Sequence, residues 1–175
     1  MQSSSKNNID LSSLKVGFIL PAFNEYENIF ILLKQIESIF NNKSIIIIDD
    51  STNDDIKDKI SSRDDILYVK RESRLGRGSA VIHGLKTLLE NKKIDFFVEI
   101  DTDLSEHPDQ LPDMIKFFLD NKLDLLVASR YLKGSEIINW PLKRRLFSFL
   151  ANKLAKFLLK VPVSDYTNGF RIYSK

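Results

Sequence analysis

The segment Ser44–Ile48 reads SIIII and runs directly into Asp49-Asp50. Consecutive β-branched residues lose side-chain freedom in a helix and favour a pleated strand. Alternate residues of a strand face opposite ways, so a run that is apolar at every position needs cover on both faces. One such strand demands a sheet with layers above and below it. Further short apolar runs lie at Val16–Leu20, which Pro21 should stop, and at Ile66–Val69, Phe96–Ile100 and Leu123–Ala128. Between them, Glu25–Phe40 carries Ile29, Leu32, Leu33, Ile36 and Phe40 at helical spacing, and Gly78–Leu89 puts Val81, Ile82, Leu85, Leu88 and Leu89 on one face. Asp54–Ile60 predicts a weak helix, and Pro108 opens another that reaches about Phe118. The alternation predicts an α/β fold, a mostly parallel sheet with helices on both faces.

Right-handed crossovers put the loops that follow the strands on one edge, where such sheets bind ligands. Pro21–Glu25, Asp49–Thr52 and Asp101–His107 all follow predicted strands, so they should meet in one crevice. That convergence points to an enzyme.

With 175 residues the chain suits one domain, placed at 15–175, behind a Ser/Asn-rich leader at 1–14 that should be frayed. No signal-peptide pattern opens the sequence, and no apolar run approaches the ~18 residues that a spanning helix needs. A formal charge of +2 gives no case for nucleic acid, and the absence of cysteine excludes disulfides and thiolate metal sites. A soluble or membrane-surface domain is expected. From Ile137 to Ser164 there is no acid, while Lys143, Arg144, Arg145, Lys153, Lys156 and Lys160 are cationic. Leu142, Leu146, Phe149, Leu150, Leu154, Phe157 and Leu158 form an apolar face. Such a helix lies at an anionic interface or faces the core with a cationic outer side, and the residues alone leave both open.

Asp101-Thr102-Asp103 is the sharpest local feature. Two carboxylates one residue apart, just past a buried strand, can hold a hard divalent cation whose other ligands come from phosphate oxygens and water. They can equally be solvated loop acids, one of them capping the next helix. Asp49-Asp50 closes another strand, as a nucleoside-binding acid or an ordinary turn. Leu75-Gly76-Arg77-Gly78 fails the common phosphate-loop templates, since Val81 replaces the third glycine and no Gly-Lys-Ser/Thr follows. His83 reads as a satisfied core or rim histidine. Arg130, Arg144, Arg145 and Arg171 can grip phosphates through a planar fork of donors, or serve as surface charges.

Six segments nevertheless fall in a specific order: PAFNE at Pro21–Glu25, DDST at Asp49–Thr52, LGRGSAVIHG at Leu75–Gly84, DTDLSEHP at Asp101–Pro108, SRY at Ser129–Tyr131 and SDYTNGFRIYS at Ser164–Ser174. From about Val16 onward the chain resembles the GT-A family-two glycosyltransferases, and within them the dolichyl-phosphate (polyprenyl-phosphate) mannosyltransferase branch. The resemblance implies a Rossmann-like GT-A sheet and a hexosyltransferase. Pro21, Phe23, Glu25 and Asp49 would line the nucleotide pocket. Asp101 and Asp103 would hold Mg²⁺ or Mn²⁺ against the diphosphate, with Ser105 completing the metal shell. Arg130 would lie beside the transferred sugar and phosphates, and Arg144 would hold the acceptor phosphate. Asp165, Asn168, Gly169 and Arg171 would flank the acceptor end, with Arg171 a second phosphate grip.

The implied donor is GDP-mannose first, UDP-glucose or another UDP-sugar second. The implied acceptor is a polyprenyl phosphate, reached from the cytoplasmic face of a membrane. The implied reaction is an inverting single displacement that would involve Asp101, Asp103, Arg130, Arg144 and Asp165. A phosphate acceptor is already largely dianionic at neutral pH and needs no base. A glycan or other hydroxyl acceptor would need one, and Asp165 is the nominee. Two departures stand out: family members continue beyond this last motif, so 15–175 reads as a domain without the family's C-terminal part, and QxxRW of processive synthases is absent. A truncated, non-catalytic nucleotide-sugar-binding module is the remaining alternative. Nothing in the sequence names a protein partner.

Overall fold

The computed structural model describes residues 12–52, 56–60, 63–132 and 141–175. Its elements run β1 (Val16–Ala22), α1 (Tyr26–Ile39), β2 (Lys43–Asp49), α2 (Lys57–Ile60), β3 (Ile66–Lys70), α3 (Arg77–Leu89), β4 (Phe96–Glu99), a 3₁₀ turn (Pro108–Gln110), α4 (Leu111–Asp120), β5 (Leu125–Val127), α5 (Leu142–Leu159) and β6 (Arg171–Ser174). The strands form one sheet in the order β3-β2-β1-β4-β6-β5. β1, β2, β3 and β4 are mutually parallel. β6 runs antiparallel to both neighbours, β4 and β5. The expected α/β sheet with helices on both faces is therefore present.

The isoleucine run behaves as its pattern requires. Ile45 and Ile47 face a core built with α1 and α4 through Ile29, Leu32, Ile36, Leu111 and Ile115. Ile46 and Ile48 face the opposite layer, with Ile19, Phe97 and the α3 residues Ala80 and Leu88. All four isoleucines are buried to 1% exposure or less. α3 comes close to the sheet because Gly84 has no side chain: a Cβ there would sit 2.6 Å from Ile19 Cγ2 and 3.2 Å from Ile46 Cγ2.

Several local expectations are corrected. β1 does not stop at Pro21 but continues through it to Ala22. The Ile19 carbonyl accepts from Ile100 N, so Ile19 and Pro21 both direct their backbone groups toward β4. The β4 pairing ends at Ile19–Glu99, so no carbonyl there lacks a donor because of the missing proline N–H. The Pro21 carbonyl instead accepts from Thr102 Oγ1 at 3.0 Å. Ile82, Leu89 and His83 are exposed on the outer side of α3, so His83 is no core residue. The predicted strand at Leu123–Ala128 shortens to β5, and β6 lies where no strand was expected.

The core-facing reading of the basic helix is overturned. Along α5 the residues Leu142, Leu146, Phe149, Leu150, Leu154, Phe157 and Leu158 are all at least half exposed. Among the described residues a polar edge of α5 is tied down, chiefly through buried Asn152, whose Oδ1 accepts from Tyr166 N at 2.5 Å. Residues 1–11 of the leader, 54–55 of the weak helix and Trp140 lie outside the described residues, as does the side chain of Arg144.

Candidate active site

The carboxyl ends of β1, β2 and β4 open into one crevice of roughly 270 Å³. Pro21, Phe23 and Glu25 line one wall, and Asp101 and Asp103 another, so five of the sequence candidates meet there. The turn after β1 depends on Asn24 in the left-handed region at φ 59°, a conformation asparagine tolerates, with its N–H donating to Ser51 Oγ at 2.7 Å. The Arg74 guanidinium stacks on the Phe23 ring, 3.9 Å from its centroid.

Asp49 is not in the crevice. Its side chain is sealed beneath, accepting from Ser51 N at 2.8 Å and Tyr68 Oη at 2.7 Å, with Lys70 Nζ at 3.4 Å. Strand alternation turns Asp50 the other way, to the crevice wall, where it pairs with buried Arg71. Arg71 also donates to Ser79 Oγ at 2.9 Å and to the Gly76 carbonyl at 3.1 Å. The pair therefore locks the end of β2 to the turn that starts α3. That turn needs Gly76, whose φ is 84°.

After β4 the chain turns through Leu104 at φ 59°, and Asp103 Oδ1 accepts the Ser105 N–H at 3.0 Å. Ser105 thus meets Asp103 through its backbone, and its side chain is exposed. Arg77 donates to both Asp101 and Glu99, and Tyr173 Oη donates to the second oxygen of Glu99. Burial, then the negative charge of Asp101 and Asp103, push the Glu106 carboxyl up to about 7. One Glu106 oxygen is buried without a hydrogen-bond partner among the described residues. The surplus of negative charge fits a cation, and no group of three or more metal-ligating side chains occurs among the described residues. Two carboxylates with the remaining ligands supplied by water and phosphate is the pattern of an open Mg²⁺ or Mn²⁺ site.

A second cluster flanks the crevice. Arg130 grips Asp165 with Nε at 2.8 Å and Nη2 at 3.0 Å, and donates to Thr167 Oγ1 at 2.7 Å. The backbone N–H groups of Arg130, Thr167 and Asn168 add bonds of 3.2, 3.0 and 3.1 Å to the same carboxylate. Burial alone would raise the Asp165 pKa, but the Arg130 hydrogen bonds and charge outweigh it and hold the group at about 2. A carboxylate so saturated is a poor proton acceptor, which corrects its nomination as a general base. Arg171 donates from Nε and Nη2 to the carbonyls of Asn168 and Tyr166, both at 2.7 Å, so that edge of its guanidinium secures the loop. Gly169 links the two clusters: a Cβ on it would fall 2.1 Å from Arg77 Nη2 and 2.4 Å from Asp101 Oδ2.

Arg71, Arg77, Glu99 and Glu106 were not singled out from sequence. A usable signal existed for Arg77: carboxylates at Glu99 and Asp101 on one strand end require a nearby cation, and Arg77 stands in the Gly-rich turn before α3.

A mostly parallel sheet that gathers paired acids at its carboxyl edge puts them where α/β domains of this kind bind their ligands. Residues 18–175 match the Glycosyl transferase family 2 model, and the chain belongs to that family. It is 33% identical over 164 residues to a dolichol-phosphate mannosyltransferase of Pyrococcus furiosus, covering 90% of this chain and 45% of that one. It is 32% identical over 162 residues to a polyprenol monophosphomannose synthase of Mycolicibacterium smegmatis, covering 90% and 60%. An undecaprenyl-phosphate mannosyltransferase of Micrococcus luteus is 29% identical over 164 residues, covering 91% and 66%. The chain thus spans about half to two thirds of the length of these curated relatives. In fold it is similar to glucosyl-3-phosphoglycerate synthase from Mycobacterium tuberculosis, crystallised with Mn²⁺, UDP and glucosyl-3-phosphoglycerate. The TM-score is 0.63 at 21% identity, covering 92% of this chain and 57% of that one.

Proposed function

We propose that this protein transfers a hexose, mannose first and glucose second, from a nucleoside-diphosphate sugar to a polyprenyl phosphate at a membrane surface, with inversion. The observation that carries the reading is the meeting of Asp101 and Asp103 with Pro21, Phe23 and Glu25 in one crevice at the carboxyl edge of the sheet. The names of the relatives, each a polyprenyl-phosphate mannosyltransferase or monophosphomannose synthase, support this donor and acceptor class. GDP-mannose is the preferred donor and a UDP-sugar the second.

A Mg²⁺ or Mn²⁺ ion held by Asp101 and Asp103 would neutralise charge on the departing diphosphate. Phe23 and Glu25 bound the side of the crevice that would receive the nucleoside. Arg130, rigid on Asp165 and Thr167, holds a fixed guanidinium beside the acceptor end, with its charge balanced by Asp165. With Asp165 held at about 2, this cluster offers no base for a hydroxyl nucleophile, whereas a dianionic phosphate needs none. That favours the lipid phosphate over a hydroxyl acceptor.

The polyprenyl tail keeps the acceptor in the bilayer, so the crevice must work at its surface. Among the described residues no helix is long and apolar enough to cross a membrane. α5 supports surface attachment instead, through exposed Leu142, Phe147 and Phe157 beside exposed Lys143, Lys153, Lys156 and Lys160. We assign this attachment to the cytoplasmic face.

The test is incubation of the purified chain with radiolabelled GDP-mannose or UDP-glucose, Mn²⁺, and either a polyprenyl phosphate in anionic vesicles or soluble hydroxyl acceptors. Label transferred to the organic phase is expected. Transfer to soluble acceptors alone contradicts the acceptor class, and donor binding without transfer to anything favours the non-catalytic module.

A further inference from the structure

Arg77 holds a position that the transfer chemistry leaves unexplained. Its guanidinium lies in the crevice and bridges two carboxylates of unequal exposure. Glu99 is 1% exposed and is also fixed by Tyr173, whereas Asp101 is 26% exposed and borders the open crevice. Arg77 therefore has one permanent anchor and one exchangeable partner. The backbone of Gly169 lies against both members of the exchangeable pair, so no side chain intrudes on it.

Resting on the reading that Asp101 and Asp103 bind a divalent cation, we infer that Arg77 is a built-in stand-in for that cation. In the metal-free protein its guanidinium occupies Asp101 and lowers the cost of gathering Glu99, Asp101, Asp103 and Glu106 in one place. A divalent ion arriving at Asp101 displaces the Arg77 Nε–H from Oδ1, because sharing that carboxylate would set two like charges side by side. The guanidinium then stays in the crevice on Glu99. Arg77 is thus a positioning residue that sets metal affinity in the absence of donor. Substrate-free metal binding is held weak, and a donor that brings its own negative charge restores the balance.

The charges set the size of the effect. Removing a unit charge about 5 Å from a dication changes binding on the order of tenfold even with the screening of bulk water. The probe is Mn²⁺ alone, titrated without nucleotide and read as free Mn²⁺ by electron paramagnetic resonance. Arg77→Gln should bind Mn²⁺ about tenfold more tightly than the parent chain, and Arg77→Lys, which keeps the charge, should stay close to it. A second measurement uses the unmutated protein. The Arg77 Nε–H resonance should move to the position of an arginine side chain without a carboxylate partner as Mg²⁺ saturates the site.

Equal or weaker Mn²⁺ binding by Arg77→Gln overturns the inference while leaving the metal site standing. An Nε–H resonance that does not move at Mg²⁺ saturation overturns it even where the variant fails to fold. No Mn²⁺ binding by any of the proteins overturns the metal assignment, and this inference with it.

Discussion

Replacing Asp165 by asparagine isolates the electrostatic pin that holds the 165–169 loop against SRY. The carboxyl is fully buried at the side-chain level and sits at about 2 against an ordinary value of 3.8. A shift near two units corresponds to about 2.5 kcal/mol of native-state stabilisation at neutral pH. Because the folded pKa is depressed, that contribution is present in full above the unfolded value and fades as pH falls through the folded one. It should drop to about half by pH 3 and vanish below about pH 2. In a chain of 175 residues, Asp165→Asn should lower the melting temperature at pH 7 by about 5–10 °C. Urea midpoints of both proteins, measured from pH 7 down to pH 3, give the comparison. Equal stability at pH 7, or a gap that keeps its full size at pH 3, would refute the reasoning. The first would mean that solvent compensates the Arg130 pair, and the second that the cost of the substitution does not lie in the carboxylate's charge.

Two other perturbations test other parts of the account. Lys153→Gln with Lys156→Gln removes two exposed α5 cations, each worth about 1 kcal/mol near an anionic surface. Partition into phosphatidylserine vesicles should weaken about thirtyfold, with zwitterionic vesicles little affected; unchanged partition removes α5 from the membrane interface. Gly84→Ala forces a methyl toward Ile19 and Ile46 and should cost about 1–2 kcal/mol by chemical denaturation, despite alanine's better helix propensity. A stability gain would show that α3 can lift off the sheet freely.

The layers were legible because four of the parallel strands are continuous apolar runs, and only burial on two faces explains a segment such as Ile45–Ile48. β6 was not legible. Arg171–Ser174 is four residues long, two of them polar or charged, and its place comes from pairing Ile172 between Val98 and Leu126. That information lies some seventy residues away in β4, beyond any local pattern. Pro21 misled for a related reason: proline ends a strand only where its missing donor has a partner waiting, and β4 has already stopped.

The site divides along the same line. Acids at strand ends could be read from sequence because strand and acid are adjacent in the chain. Which cation serves which acid could not, since Asp50–Arg71 and Arg77–Asp101 are joined only by the fold. Asp49 and Asp50 are neighbours of the same type, and only the phase of the strand decides which reaches the crevice. The amphipathic pattern of α5 showed an apolar face but held no information on what covers it, and the fold leaves that face open.

The most direct test of the account is calorimetric titration of the chain with GDP and with UDP, in Mn²⁺ and in EDTA, alongside Asp103→Ala. The account predicts that one nucleotide binds in Mn²⁺, loses its binding in EDTA, and binds Asp103→Ala at least tenfold more weakly. Binding that ignores both the metal and Asp103, or no binding of either nucleotide, would contradict it.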